Sequence, residues 1–489
     1  MNKNDDYVLL HAHSEYSNIK IIDSTNRFNR MVDYAWELGL SGIAMTEHDT
    51  LSGTLYALDV YRDKLKKEWS NAFPDKEFPG YEIAAKELNF KVILGNEIYL
   101  SEEGSNKEKQ EENPSSVHFW HLILLAKDKE GYTQLKKLSS AAWKRAWMRS
   151  ILRTPTYPSD LFDIVKGGHL ICSTACLGGY TAWCWKQITI AQGKLDSANE
   201  KFYLDKLDNH LAAMEQLFGK NNFYIELQPN EVGSEQNEYN KFMIGRYWGK
   251  YPFIFTTDAH YLKADEREIH KAFLNSKSSS DREVDEFYKY AYIMSQNEVE
   301  ALFSDYLTHE QFEGMVANTK KISDMCQFYE LEQKPKLATV EYEYWNDYEE
   351  DLQIFSEIDE ETYPNFYWFL HSNNRPANYL ARLVAHGYVQ KYKSDWDDDV
   401  YFSRLEEEFW TLKQVGDIIE QPMADYFITM SKIIDICWND AESLVGPSRG
   451  SAGALLINYL LGITQMNPVE MELPFVWRFL HPSRPDLPD

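Results

Sequence analysis

Tyr7-Val-Leu-Leu-His-Ala-His13 and Phe253-Ile-Phe-Thr-Thr-Asp-Ala-His260 share one plan: a short apolar run that ends in two metal-ligand side chains spaced two residues apart. An extended strand repeats every two residues, so each pair lies on one face. Between the two stretches, short apolar, β-branched or aromatic runs alternate with segments of helical period, the pattern of βα units around a parallel sheet. Strands are predicted at Tyr7–His11, Gly42–Thr46, Lys91–Gly95, Phe119–Leu125, His169–Ser173, Phe223–Leu227 and Phe253–Thr257. The clearest helix gathers Phe28, Met31, Val32, Ala35 and Leu38 on one face, with Ser24 or Thr25 as its cap and Gly39 as its stop. Seven such units predict an α/β fold in which a seven-stranded βα barrel closes, so that the first and last strands are neighbours.

The remaining composition bounds the reading. The chain has 489 residues, enough for roughly two to four domains. No apolar run approaches the roughly 20 residues of a membrane span, and the start lacks the order of a secretory signal. A soluble, cytoplasmic protein with no membrane partner is expected. The cysteines, Cys172, Cys176, Cys184, Cys326 and Cys437, are odd in number and suit a metal ligand better than a disulfide framework. A net charge of −27 excludes a protein that coats nucleic acid by bulk electrostatics, but not a nucleic-acid enzyme whose carboxylates hold cations. The polar stretch 101–116 reads as a solvated loop. The alternation breaks after about Asn275 and a mostly helical, acidic region follows, which sets domains at 1–280 and 281–489.

In a βα barrel the functional site is built at the carboxyl ends of the strands. Those ends carry His11 and His13, then Glu47-His48-Asp49, Glu97, His121, Cys176, and Asp258 with His260, while Asp23 follows the first strand in a loop. Imidazole, carboxylate and thiolate are the usual ligands of divalent metals. A lone His or Asp at a strand end is more often a cap or a satisfied core group. Paired ligands on the first and last strands of a barrel are much harder to obtain by accident.

In order, the segments HAHS, TEHD, GNE, FWHLILLAKD, CSTACLGG and TTDAH resemble the polymerase and histidinol phosphatase (PHP) family over the whole first domain. The resemblance implies a trinuclear site of His11, His13, Asp23, His48, Glu97, His121, Cys176, Asp258 and His260, holding Zn, Mn or Fe. Glu47 stands where the family usually has Asp, and Asp23 lies a few residues later than usual; His118 and Glu15 are read as neighbours. Clustered divalent metals activate water and neutralise phosphodiester oxygens, so the resemblance implies a phosphoesterase, and in polymerases a 3′–5′ proofreading exonuclease.

Near the carboxyl end, Gly446-Pro-Ser-Arg-Gly-Ser-Ala-Gly453 precedes the apolar run Ala454–Ile463. A Gly-rich turn that opens a helix can present N–H groups to phosphate, with Arg449 and Ser451 adding donors. A Gly/Ser-rich helix cap has the same composition. From Tyr426 to the end the sequence resembles the palm of the bacterial DNA polymerase III alpha subunit, a C-family replicative polymerase. By that resemblance the second domain is a mostly helical α+β partial palm, in which Gly446, Ser448, Arg449, Gly450 and Ser451 bind the incoming deoxynucleoside triphosphate. Arg478 and Arg484 face phosphates, and Phe427, Ile428 and Trp438 are core. The family's catalytic Asp-x-Asp pair, which holds Mg, is expected just beyond Asp489, so none of the palm aspartates is counted here. The implied function is the amino-terminal part of a replicative DNA polymerase. Its partners would be primer-template DNA, a carboxyl-terminal fragment carrying those aspartates, and a sliding clamp reached through that fragment. The Asp23 spacing and the position of the break suggest a phage relative and a split polymerase. The alternative is a stand-alone metal-dependent phosphoesterase or exonuclease.

Overall fold

A computed structural model describes residues 7–149, 151–276, 286–333, 335–338, 347–475 and 480–485. The chain divides into two compact units, Met1–Leu331 and Glu332–Asp489.

The first unit contains all seven expected strands. They are β1 (Val8–Leu9), β2 (Gly42–Met45), β3 (Lys91–Leu100), β4 (Trp120–Ala126), β7 (Leu170–Ser173), β8 (Phe223–Leu227) and β9 (Phe253–Phe255); β5 (Trp147–Met148) and β6 (Leu152–Arg153) form a separate hairpin. The main sheet runs β1-β2-β3-β4-β7-β8-β9 and curls. Its pairings are parallel except that β4 lies antiparallel to both neighbours. The sheet is therefore mixed where the periodicity predicts a parallel one. Alternating side chains split the core in two: Val8, Leu10, Ala44, Ile93, Ile123, Leu125, Ile171 and Ile254 fill the inside of the curl, and Leu9, Ile43, Leu94, Leu124 and Phe255 face the helices.

The two outer strands meet only at their carboxyl ends, where Ala12 bridges Ala259 and His13 N–H donates to the Ala259 carbonyl at 2.9 Å. Further down, the helix His309–Met325 fills the gap. Thr319 Oγ1 accepts from Val8 N–H (3.2 Å), Asn318 Nδ2 donates to the Phe253 carbonyl (2.8 Å), and Phe312, Met315, Val316 and Ile322 are buried. Edge strands left open invite further pairing, and covering them removes that hazard. Lys91 Nζ caps the far end of this helix on the Ser323 and Cys326 carbonyls. The domain limit accordingly falls after Leu331 and not at 280, because the sheet is not closed without residues beyond the compositional break.

Two local readings change. Ser24 does not cap the helix Phe28–Glu37. Its hydroxyl ties together the His13 and His260 carbonyls (2.8 and 3.1 Å), and Glu15 accepts from Phe28 N–H instead. The segment read as a solvated loop at 101–116 holds the helix Lys107–Glu112, whose Gln110 is buried against Trp147 Nε1.

The second unit is helical among its described residues. The helices Pro364–His371, Arg375–Lys391, Asp398–Ile419 and Met423–Asn439 pack Phe366, Leu380, Tyr388, Phe409 and Phe427 into one core. Ile428 is also buried, whereas Trp438 is 37% exposed. No helix of the described residues is long and apolar enough to cross a membrane.

Gly95 lies where β3 leaves its parallel pairing for its antiparallel one, two residues before Glu97. A Cβ there would sit 2.7 Å from the Leu124 carbonyl oxygen and 2.9 Å from the Thr46 methyl. Overpacking of this kind costs about 1–3 kcal/mol, so Gly95→Ala should lower the thermal unfolding midpoint, measured by circular dichroism, and weaken the site at Glu97.

Candidate metal centre

All nine side chains implied by the resemblance come together at the carboxyl ends of the curled sheet. Three interlocking groups form there: His13, His48 and His260; His11, His13 and Asp258; Glu97, His121 and Cys176. Asp23 joins through its carboxylate, 2.8 Å from His48 Nε2 and 3.6 Å from His260 Nε2. Asp258 Oδ1 stands 3.1 Å from Nε2 of both His11 and His13. Glu97 reaches four imidazoles, with Oε2 2.5 Å from His48 Nδ1 and 3.9 Å from His13 Nε2, and Oε1 2.6 Å from His121 Nδ1 and 3.5 Å from His11 Nε2. Cys176 Sγ is 3.4 Å from His121 Nδ1. His118 stays outside and stacks on Trp120.

The backbone at these strand ends is unusual. Asp49, Ala175 and Asp258 have φ of 47°, 58° and 48°, a left-handed conformation that non-glycine residues seldom adopt and that clusters at functional sites. Each flanks or carries a ligand-type side chain, and the turn swings that side chain over the end of the sheet.

Behind the ligands lies a shell that sequence reading missed. Glu226, in the middle of β8, sits 2.7 Å from His11 Nδ1 and accepts from the hydroxyls of Ser173 (2.6 Å) and Thr256 (2.5 Å). Its signal is a carboxylate at the centre of an apolar strand, which needs a buried partner. Glu47 points away from the cluster and accepts from Ser14 and Ser17, and the Ser17 hydroxyl in turn lies 3.0 Å from His13 Nδ1. The Tyr99 hydroxyl is 3.1 Å from His48 Nδ1, and the Lys20 ammonium, paired with Asp49, sits over the Tyr99 ring. Such outer partners fix which imidazole nitrogen faces inward.

The electrostatics ask for cations. Burial alone would neutralise these carboxylates, yet the imidazoles of His121, His48, His11 and His260 hold Glu97 and Asp258 well below the usual carboxylate range, and His48 and His260 do the same for Asp23. Burial opposes charge on His48, but Asp23 and Glu97 carry it up to about 10. His13, buried beside His48 and His260, is pushed down to about 3 and presents a neutral nitrogen. Burial and the charges of Asp258 and Glu97 push the Cys176 thiol far up. The donor set fits divalent cations on a second count: Asp23 Oδ1 is buried with no hydrogen-bond partner, and the close contacts of Glu97 Oε1 and Asp258 Oδ1 lack hydrogen-bond geometry. Lone pairs that converge without sharing protons are what a bound cation requires.

The Gly446–Gly453 turn sits in the second unit. Gly450 has φ of +56°, and residues Gly450–Ala454 form a 3₁₀ turn ahead of a short helix, Leu456–Leu460. The Leu456 and Ile457 N–H groups already donate to the buried Glu408 carboxylate (2.7 and 2.9 Å), which Arg404 holds. The helical run is shorter than Ala454–Ile463, and donors for phosphate would have to come from the turn around Ser448, Arg449 and Ser451. Arg449 and Gly446 are exposed. Arg484 N–H donates to the His481 carbonyl at 2.9 Å, and Arg478 lies outside the described residues.

This fold and cluster define a metal-site α/β domain joined to a helical one. Residues 10–230 match the PHP domain, and residues 378–489 match the bacterial DNA polymerase III alpha NTPase domain. The chain is 34% identical over 491 residues to a probable DNA polymerase of Bacillus subtilis strain 168, and equally to a DNA-directed DNA polymerase of Bacillus phage SPbeta; each match covers 98% of this chain and 36% of the relative. It is 27% identical over 493 residues to the DNA polymerase III subunit alpha of Aquifex aeolicus, covering 99% of this chain and 36% of that one. Both family models thus match within one polypeptide, and the chain is similar over nearly its whole length to DNA polymerase III alpha subunits. It spans about a third of the length of these relatives.

Two outcomes follow from the shell and the protons. Glu226→Gln should weaken metal affinity by about 10–100-fold, read by competition with a chromogenic chelator, while the fold persists. Metal binding displaces protons from His11, His48 and Cys176, all of which hold them tightly. Affinity should therefore rise with pH, and lowering the pH should release metal, as followed by elemental analysis after dialysis.

Proposed function

We propose that this chain works as part of a replicative DNA polymerase, with the PHP centre as a metal-dependent 3′–5′ exonuclease. The observation that carries the nuclease reading is the convergence of nine ligand-type side chains, none missing, around buried oxygens without proton partners. His11, His13, Asp23, His48, Glu97, His121, Cys176, Asp258 and His260 would hold two or three ions of Zn, Mn or Fe. Such ions, when bound, activate water and neutralise the oxygens of a phosphodiester. The protein's own residues do the rest: Glu226 and Ser17 fix the inward nitrogens of His11 and His13, and the strand-end turns keep the carboxylates aimed at one point.

The polymerase reading rests on the second unit and on relatives that match 98–99% of this chain over about a third of their own length. Template-directed synthesis would use the Gly446–Ser451 turn for the deoxynucleoside triphosphate and a carboxyl-terminal part whose aspartates hold Mg, with primer-template DNA and a sliding clamp as partners in the bacterial or phage-infected cell. A stand-alone phosphoesterase would need neither that turn nor a second core.

Purified chain with manganese or zinc should shorten a 5′-labelled single strand from its 3′ end. Replacing His11 and His13 together by Ala should abolish this and lower the unfolding midpoint, because metal binding free energy is partly folding free energy. Degradation that survives both the double substitution and a chelator would sink the nuclease reading. A primer-extension assay on this chain together with a polymerase part that carries the palm aspartates should show template-directed synthesis. Arg449→Ala should then lower extension while leaving metal content unchanged.

A further inference from the structure

Beside the metal centre a cavity of about 280 Å³ is lined by Gln228, Asn230, Gln236, Thr257, Asp258 and Tyr290 among others. Asp258 belongs both to this cavity and to the cluster, through its contacts with His11 and His13. A molecule whose phosphate lies at the cluster can therefore extend into the cavity.

The walls say what that molecule carries there. Gln228, Asn230, Gln236 and Thr257 are all buried, and primary amides present donors and acceptors side by side. Among the described residues that line the cavity there is no lysine or arginine, and the carboxylates are Asp258 and Glu235. Anions are disfavoured away from the metals, and a neutral group rich in hydrogen-bonding edges is favoured. The Thr257 hydroxyl is buried with no hydrogen-bond partner, an unmet demand that a ligand could satisfy. The wall amides are held from behind: Gln228 Nε2 by Glu226, Gln236 Nε2 by Asn240, and Asn240 in turn by the Gln228 carbonyl and the Tyr306 hydroxyl. The wall is built on fixed side chains, and the cavity volume lies just below the range of small-molecule sites, about 300–1,000 Å³. That is room for one nucleoside and not for a duplex.

From this placement we infer that the cavity receives the sugar and base of the terminal nucleotide of a single strand while its phosphate lies at the metal centre. The inference rests on the nuclease reading for its substrate and deepens it, since it makes the site specific for nucleotide ends over simple phosphoesters.

Titration calorimetry on the manganese-loaded full chain tests it with two probes, deoxyadenosine 5′-monophosphate and inorganic phosphate. The nucleotide should bind at least about tenfold more tightly than phosphate. Asn230→Ala and the isosteric Thr257→Val should each cut the ratio of nucleotide to phosphate affinity by about fivefold; a folding defect would lower both affinities and leave the ratio unchanged. Equal affinity for the two probes, or a ratio that neither substitution moves, would overturn the inference. Hydrolysis of bis(p-nitrophenyl) phosphate separates the two readings. If the chain hydrolyses neither this ester nor DNA yet binds the nucleotide through Asn230 and Thr257, the nuclease reading fails and the nucleoside pocket stands.

Discussion

Asp23, Glu97 and Asp258 are buried side by side, each less than 5% exposed, and the first unit is arranged around the need to balance them. Like charges in a low-dielectric interior cannot persist without cations. Five imidazoles and a thiol supply ligands, and outer carboxylates and hydroxyls then orient those ligands. Glu226 serves His11, Ser17 serves His13, and the Asp258 carbonyl serves His260 Nδ1 at 2.7 Å. Cations bound there would turn a destabilising cluster into one that holds the strand ends together, which would couple metal binding to the stability of the closed rim.

Much of this is legible in the sequence because the information is local. Apolar runs bounded by turns mark all seven strands, and ligand-type residues at their ends mark the cluster, since strand ends in such folds share a face. What stays hidden is pairing between distant segments. The nearly continuous apolar run of Trp120–Ala126 is the same whether the strand runs parallel or antiparallel, so the reversal of β4 leaves no trace. The amphipathic face of His309–Met325 announces a helix without saying that it covers the gap between β1 and β9. Glu226 could have been found, because a carboxylate in the middle of Phe223–Leu227 has to meet a partner; which partner only the fold decides. Ser24 shows how a local rule loses to a distant demand. A good helix cap by type, it is drawn instead to the carbonyls of His13 and His260, whose strand ends would otherwise part.

The second unit applies the same logic with the opposite result. Its Gly/Ser-rich turn has the composition of a phosphate cradle, but the first N–H groups of the helix behind it are already taken by Glu408. A buried carboxylate at a helix start is well placed, since it satisfies donors and meets the positive end of the dipole, and Arg404 balances its charge. Glu408 therefore fixes the short helix against Asp398–Ile419 and leaves recognition to the turn in front of it, where Ser448, Arg449 and Ser451 stand. Gly387 permits the tight packing behind: a Cβ there would lie 2.0 Å from the Leu460 carbonyl oxygen, and Lys391 reaches the same oxygen at 2.9 Å. The turn is held by a rigid base and not by the helix dipole.

Left-handed backbone at Asp49, Ala175 and Asp258 gives the final link between fold and chemistry. Non-glycine residues held in sparsely populated backbone regions cost on the order of 1–3 kcal/mol each, and relaxing these three would turn His48, Cys176 and Asp258 away from the centre. Hydrogen bonds hold the strained turns: Asp49 N–H donates to the Glu97 carbonyl at 2.8 Å, and Gly179 N–H to the Cys176 carbonyl at 2.9 Å. The Ala259 carbonyl, next to Asp258, accepts from both His13 N–H and Asn26 Nδ2. The ties at Asp49 and Ala259 join one ligand-bearing strand end to another part of the rim, and the one at Cys176 closes its own turn. Strain at any one turn is therefore opposed by its neighbours, and the ligand geometry belongs to the rim as a whole and not to any single strand.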